Sequence, residues 1–243
     1  MSDTHLMHLR YKIRLPAADM VIHSGDATFK GELNEIAAFA DWFKRMPYKY
    51  KIFVAGNHDW LFQKNRNLAQ SMLGDSVIYL QDSMVEIDGL KIYGSPWQPE
   101  FCNWAFNLVR GHPLREKWNK IPSDVDIVVT HGPPLGVLDL NQDGEHVGCG
   151  DLKQVLEKRV KPRLHVFGHI HNSYGIVAQG RTLFANASIC GEDYKPTHGV
   201  IVVEFDPAKP DDIPSIKVNY ERAVPLELIG QPMLTNRPAQ PLW

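Results

Sequence analysis

The sequence predicts an α/β domain in which two β-sheets pack on each other with helices outside. Three observations lead there. Apolar runs of four or five residues recur, rich in β-branched and aromatic side chains and continuous rather than alternating, as in strands covered on both faces. Amphipathic stripes of helical period separate the early runs. Later in the chain, two-residue turn signals mark antiparallel hairpins. Alternation followed by hairpins suits two packed sheets.

The strands expected from the runs are Met20–His23, Lys51–Ala55, Asp126–Thr130 and Arg163–Phe167. Helices are expected over Glu32–Met46, where Leu33, Ile36, Ala37, Ala40 and Phe43 form one stripe, and over Asp151–Val160, where Leu152, Val155, Leu156 and Val160 do so. Asp151 follows a glycine and suits an N-cap. One hairpin is read in MVEIDGLKIYG, turning at Asp88-Gly89, and another in YGIVAQGRTLFANAS, turning near Gln179-Gly180. A last strand is expected at Gly199–Phe205, and a proline-rich, irregular tail after Asp206. One domain over residues 1–206 is expected, with 207–243 packed on it or extending from it.

A chain of 243 residues buries a sizeable core. It has no apolar run of membrane-spanning length and no basic start followed by an apolar block, so neither a membrane partner nor a secretory signal is expected. The net charge of −2 argues against a long basic groove for polymeric nucleic acid and leaves a small anionic ligand open. Cys102, Cys149 and Cys190 are odd in number and form no CxxC pair, which points to a reducing, cytoplasmic setting. Composition is silent on the oligomeric state.

The chemistry gathers where the runs end, and in open α/β sheets ligands sit beyond the carboxyl ends of strands. Asp3-Thr4-His5 stands at the start. Asp26 follows Gly25, and Asn57, His58 and Asp59 follow Gly56. His131 follows Thr130, and His169 and His171 flank Ile170. Singly, each cluster reads as a turn, a helix cap or a solvated terminus. Jointly they supply two aspartates, one amide and four histidines, with a further histidine that need not bind metal. Nitrogen and oxygen donors without thiolate suit Mn, Fe or Zn. Seven donors exceed one tetrahedral zinc and suit two adjacent divalent ions, the arrangement that stabilises in-line displacement at phosphorus. His23 and His165 lie inside apolar runs and read as structural, His146 and His198 as solvated loop residues.

The ordered set DxH, GDx, GNHD, H and GHxH resembles the calcineurin-like metallophosphoesterase superfamily. The stretches PYKYKIFVAGNHDWLF, YLQDSMVEIDGLKIYGSPWQPEF, FNLVRG, THGPPLG and LHVFGHIHNSYG resemble its metallophosphoesterase-domain-containing branch, over most of the chain to about Thr197. The resemblance implies a four-layer α/β/β/α sandwich. It implies that Asp3, His5 and His171 hold one metal ion, that Asn57, His131 and His169 hold a second, and that Asp26 bridges them. Manganese is the first expectation for the pair, with iron or zinc as alternatives. His58 would face the leaving group, with Asp59 fixing its tautomer. The family pattern has a full strand before DxH, whereas only Met1 and Ser2 precede Asp3. Either the natural chain starts before Met1, the favoured reading, or the first strand is nearly absent and Asp3 and His5 are poorly held.

The expected reaction is hydrolysis of a small phosphodiester, including 2′,3′- or 3′,5′-cyclic nucleotides. Water shared by the two cations attacks phosphorus in line, and His58 assists the leaving group. A phosphomonoesterase acting on nucleotides or other small phosphates, and a metal-free nucleotide-binding scaffold, are the alternatives. In SPWQPEFCNWAFNLVRGH, Trp97, Phe101 and Trp104 lie near Arg110 and His112. Aromatic faces beside a cation suit a nucleobase and its phosphate, so Trp97, Phe101, Arg110 and His112 are candidate substrate contacts together with Asn57 and His58. The same rings also suit a core or a loop clasp.

Overall fold

The computed structural model describes residues 1–206, 209, 212–218 and 223–226. β1 (Tyr11–Lys12) is a short ribbon strand. β2 (Met20–His23), β3 (Tyr50–Phe53) and β4 (Ile78–Tyr79) form a parallel three-stranded sheet. β5 (Ser83–Ile87) and β6 (Leu90–Ser95) make the hairpin expected at Asp88-Gly89, with Ile87 opposite Leu90. Both turn residues have positive φ, 48° and 81°, as a two-residue hairpin turn requires. β7 (Gln98–Pro99) and β8 (Asn107–Leu108) pair locally. β9 (Ile127–Thr130), β10 (Leu164–Phe167) and the hairpin β11 (Gly175–Gln179) with β12 (Thr182–Asn186) complete a six-stranded sheet in the order β11-β12-β10-β9-β6-β5. Its four inner strands are parallel, and the hairpins close both edges antiparallel.

The helices are α1 (Leu33–Lys44), α2 (Trp60–Lys64), α3 (Arg66–Leu73), α4 (His112–Trp118) and α5 (Gly150–Val155). α5 runs on into a π-helical turn over Leu156–Val160. The strands' period of two sorts side chains into three apolar layers. Phe53 and Tyr79 face Ile36, Phe39, Phe43 and Phe62 of the helices. Ile52, Val54 and Leu80 face Ile92, Val129, Val166 and Ala185 across the gap between the sheets. Val128, Phe167 and Phe184 face Leu114, Trp118, Leu152 and Leu156 on the far side. Strands with apolar residues on both faces therefore read as continuous runs, and the architecture is α/β/β/α. Truncating a ring as buried as Phe53 costs about 3–5 kcal/mol. No helix among the described residues is long and apolar enough to cross a membrane.

Three expectations change. Cys149, not Asp151, caps α5: its sulfur accepts from the Leu152 amide at 3.5 Å. Asp151 is drawn to α4, where it accepts from the Gly111 amide at 3.2 Å and the Arg115 guanidinium at 3.0 Å. After Asp206 the chain is not uniformly irregular. β13 (Ile201–Glu204) pairs antiparallel with β14 (Ser215–Val218), and β15 (Val224–Pro225) pairs with β1. Arg163 anchors the connection by donating to the carbonyls of Asp206 and Asp212. Residues 227–243 of the expected tail lie outside the described residues.

Nor is Asp3 poorly held. The Met1 amino group donates to the Ile22 carbonyl at 2.9 Å, and the Ser24 amide to the Met1 carbonyl at 3.0 Å. On the other side the Ser2 amide donates to Ala187 at 2.8 Å, so Met1 and Ser2 bridge the two sheets and fix Asp3 at their common end. Below them an apolar cavity of about 620 Å³ separates Met20, Val21 and Ile22 from Val200–Phe205.

Candidate metal centre

The carboxyl ends of four strands meet the first residues of the chain. Asp26 follows β2, Asn57 and His58 follow β3, His131 follows β9, His169 and His171 follow β10, and Asp3 and His5 lie at the start. One Asp26 oxygen lies 3.3 Å from His131 Nε2 and 3.9 Å from Nε2 of both His5 and His58. His131 Nε2 also lies 2.9 Å from the Asn57 amide oxygen, and His171 Nε2 lies 3.4 Å from Asp3. Donor atoms of Asp3, His5 and His171 fall within 4.8 Å of one another, as do those of His5, Asp26 and His58, and those of Asp26, His131 and His169.

The imidazoles are oriented by main chain. Nδ1 of His5 faces the Thr28 carbonyl at 3.0 Å, that of His131 faces Ser24 at 2.9 Å, that of His171 faces Gly191 at 3.0 Å and that of His58 faces Phe29 at 2.6 Å. A carbonyl only accepts, so each Nδ1 carries a proton and each Nε2 turns inward. This is the tautomer and the outer hydrogen bond that metal-ligating histidines use. His5 Nε2 is buried without a hydrogen-bond partner, an atom a bound cation would satisfy. The donor set of imidazole nitrogens, carboxylates and an amide oxygen fits divalent transition ions.

Such convergence needs tight backbone. Asp3, His5, Asp26 and His169 all have positive φ, at 52°, 38°, 54° and 70°. These are uncommon conformations for non-glycine residues and are the kind of strain that clusters at functional sites. Gly25, at φ 110°, leaves room for the His131 ring, Gly56 for the Asp26 carboxylate and Gly168 for the Asp3 carboxylate, each of which a Cβ would strike.

Charge is balanced within the cluster. Burial alone would raise the Asp26 carboxyl, but the charges of His131 and His58 outweigh it and hold it well below the ordinary value. Burial works against protonated His131, yet Asp26 pulls that imidazole up to about 9. His171 is likewise depressed by burial and pulled up to about 9 by its bond to Asp3. His5 has weaker compensation, and burial takes it down to about 4, which keeps it neutral.

All seven expected ligands are brought together, but other assignments change. Asp59 does not touch His58. Its buried carboxylate accepts from the amides of Gly56, Ala27 and Thr28 and from the Thr28 hydroxyl, so it ties the Asp26 loop to the Asn57 loop. The Phe29 carbonyl takes the orienting role expected of Asp59, because Nδ1 of His58 points to the loop between β2 and α1. Trp97 is a clasp: its indole N–H donates to Asp82, Lys117 Nζ lies 3.8 Å from its ring, and Phe106 packs edge-on at 5.5 Å. His112 opens α4, exposed, 3.8 Å from Glu116. Neither lines the cleft. His23 and His165 are buried against Thr4 and Thr130, as expected of structural residues, whereas His146 is no free loop residue and pairs with Asp139 at 2.6 Å.

The cleft over the cluster holds about 470 Å³. Phe101 and Arg110 line it, with Arg110 donating to the carbonyls of Gly148 and Val147 at 2.7 Å each. Two further rings line it. Trp104 lies 4.2 Å from the His58 ring and Tyr194 4.9 Å from that of His5. Tyr194 sits in the polar stretch GEDYKPTHG, which has no periodicity or motif to single it out.

The family model described as calcineurin-like phosphoesterase matches residues 1–173. Human metallophosphoesterase domain-containing protein 1 is 44% identical over 228 residues, covering 84% of this chain and 69% of the human protein. The UPF0046 protein C25E10.12 of Caenorhabditis elegans is 36% identical over 222 residues, covering 84% of this chain and 79% of the worm protein. A solved crystal structure with 16% identity, covering 73% of this chain and 81% of its own, superposes with a TM-score of 0.52, a likeness of fold. The chain therefore belongs to the calcineurin-like phosphoesterase family of metal-dependent phosphoester hydrolases, in its metallophosphoesterase-domain-containing branch.

Proposed function

We propose that this protein hydrolyses small phosphodiesters, cyclic nucleotides among them, in the reducing cytoplasm. One observation carries the reading: a single Asp26 oxygen faces the inward nitrogens of His5, His58 and His131, with Asp3, Asn57, His169 and His171 around them. Asp3, His5 and His171 would hold one divalent ion and Asn57, His131 and His169 a second, with Asp26 shared and manganese the favoured metal. Two such ions, when bound, lower the pKa of water and neutralise charge developing at phosphorus.

The chain's own residues do the rest. His58 holds its Nδ1 proton on the Phe29 carbonyl and presents Nε2 to the cleft; as the imidazolium, its Nε2–H would steady the phosphoryl charge and pass that proton to the departing oxygen, leaving the neutral Nδ1–H imidazole. The preference for a diester follows from the mouth. Glu100, Asp143 and Glu192 line it, and Arg110, its fixed cation, already serves two carbonyls. That field disfavours the second negative charge of a monoester and admits a monoanionic diester.

The test is a panel of 2′,3′- and 3′,5′-cyclic nucleotides, bis(p-nitrophenyl) phosphate and p-nitrophenyl phosphate, assayed with Mn²⁺, Mg²⁺ and Zn²⁺. Higher kcat/KM on diesters supports the reading. Faster turnover of monoesters contradicts it.

A further inference from the structure

We infer that Tyr194 is a positioning residue for the substrate, and that with Trp104 it selects phosphodiesters whose leaving group carries a planar ring. This rests on the phosphodiesterase reading above. Tyr194 stands at the tip of a loop closed by a bridge between Cys190 and Pro196. The Gly191 amide donates to the Lys195 carbonyl at 2.9 Å, and the Tyr194 amide to the Gly191 carbonyl at 2.9 Å. That Gly191 carbonyl also receives Nδ1 of His171. One main-chain oxygen thus orients a ligand of the metal cluster and anchors the tyrosine beside it.

The conformation is costly for this residue type. Tyr194 has φ 57°, a region that turns ordinarily give to glycine or asparagine. A bulky ring kept there, 40% exposed, does not contribute the burial that would justify it as a core residue. Its ring instead projects over the site, 4.9 Å from His5, 5.5 Å from His171 and 6.5 Å from His58. Trp104 comes from a distant part of the chain and lies 4.2 Å from the same His58 ring at 35°. Two aromatic surfaces from separate loops therefore border the imidazole expected to meet the leaving oxygen. A ring in the leaving group that packs on them places its ester oxygen at His58. An aliphatic leaving group gains no such contact.

The test compares Tyr194→Gly and Tyr194→Phe with the wild type, all loaded with manganese. Binding of phenyl phosphate and of inorganic phosphate is read by calorimetry, alongside metal content and melting temperature. Tyr194→Gly is expected to melt no lower than wild type, since its φ suits glycine, and to keep its metal. It should bind phenyl phosphate about tenfold more weakly, in line with the loss of one stacking contact, while inorganic phosphate changes by less than about twofold. Tyr194→Phe, which keeps the ring, should restore phenyl phosphate binding. Unchanged phenyl phosphate binding in Tyr194→Gly overturns the inference, as does equal weakening of both ligands or loss of metal. Binding is read apart from diester cleavage, so a wild type that prefers phenyl phosphate yet cleaves no diester would refute the proposed activity, whereas unchanged phenyl phosphate binding in Tyr194→Gly would refute the aromatic contact itself.

Discussion

His131 lies 3.3 Å from Asp26 through Nε2 and 2.9 Å from the Ser24 carbonyl through Nδ1. The tripeptide Ser24-Gly25-Asp26 therefore supplies a carboxylate and also orients the imidazole that faces it. Gly25 between them has no Cβ to obstruct the ring.

That relationship makes Gly25→Ala informative. The added methyl meets the His131 ring and adopts φ 110°, so the variant should lose about 1–3 kcal/mol of stability and most of its metal affinity. Thermal unfolding and metal analysis of the purified variant check both. Full retention of metal would mean that the two loops tolerate separation.

His58→Ala separates proton handling from metal binding. His58 borders Asp26 at 3.9 Å, yet the other imidazoles and carboxylates surround the site without it. Turnover should fall by about 10²–10⁴-fold. Metal content should stay at the wild-type level by elemental analysis, and its loss would make His58 a ligand.

Much of this arrangement was readable before folding. The strands show because both their faces are buried, which makes Ile52, Phe53 and Val54 a continuous apolar run. The candidate ligands show because parallel strands bring their carboxyl ends to one edge, and Asp26, Asn57, His131 and His169 each stand just past such an end. Asp59 was misread because adjacency in sequence does not mean adjacency of side chains: beyond a strand end the chain turns, and its carboxylate points back to the Gly56 and Thr28 amides. Trp97 had two readings, a substrate contact and a loop clasp, because an aromatic near a cation serves either purpose; the structure gives the clasp, with Lys117 and Asp82. Tyr194 could not be read, since its importance comes from a loop conformation that no local pattern encodes. β14 was hidden by the prolines around it.

The buttressing role of Asp59 predicts a stability effect. Asp59→Asn leaves at least one buried amide of Gly56, Ala27 or Thr28 without its acceptor, a cost of about 1–3 kcal/mol. Denaturant unfolding should show the loss, while the pH profile of the remaining activity stays as in wild type. A shifted profile with unchanged stability would restore Asp59 as the partner of His58.

Metal uptake should be proton-linked. His131 and His171 are both raised from 6.5 to about 9. In the metal-free protein their ion pairs with Asp26 and Asp3 therefore stabilise the fold fully below about pH 6.5, and that contribution fades as pH rises through about 9. Metal binds the unprotonated nitrogen, so affinity should move the opposite way, climbing over this interval. Calorimetry at pH 7.5 in buffers of different ionisation enthalpy should detect proton release on loading. Uptake with no released proton would contradict the assignment of these two residues.

The central claim is that Asp26 is shared by two cations, and anomalous scattering from crystals grown with manganese tests it most directly. Two peaks are predicted, about 3.5–4 Å apart. One should lie among Asp3, His5 and His171, the other among Asn57, His131 and His169, with an Asp26 oxygen between them. A single peak, or two peaks that do not share Asp26, would contradict the account.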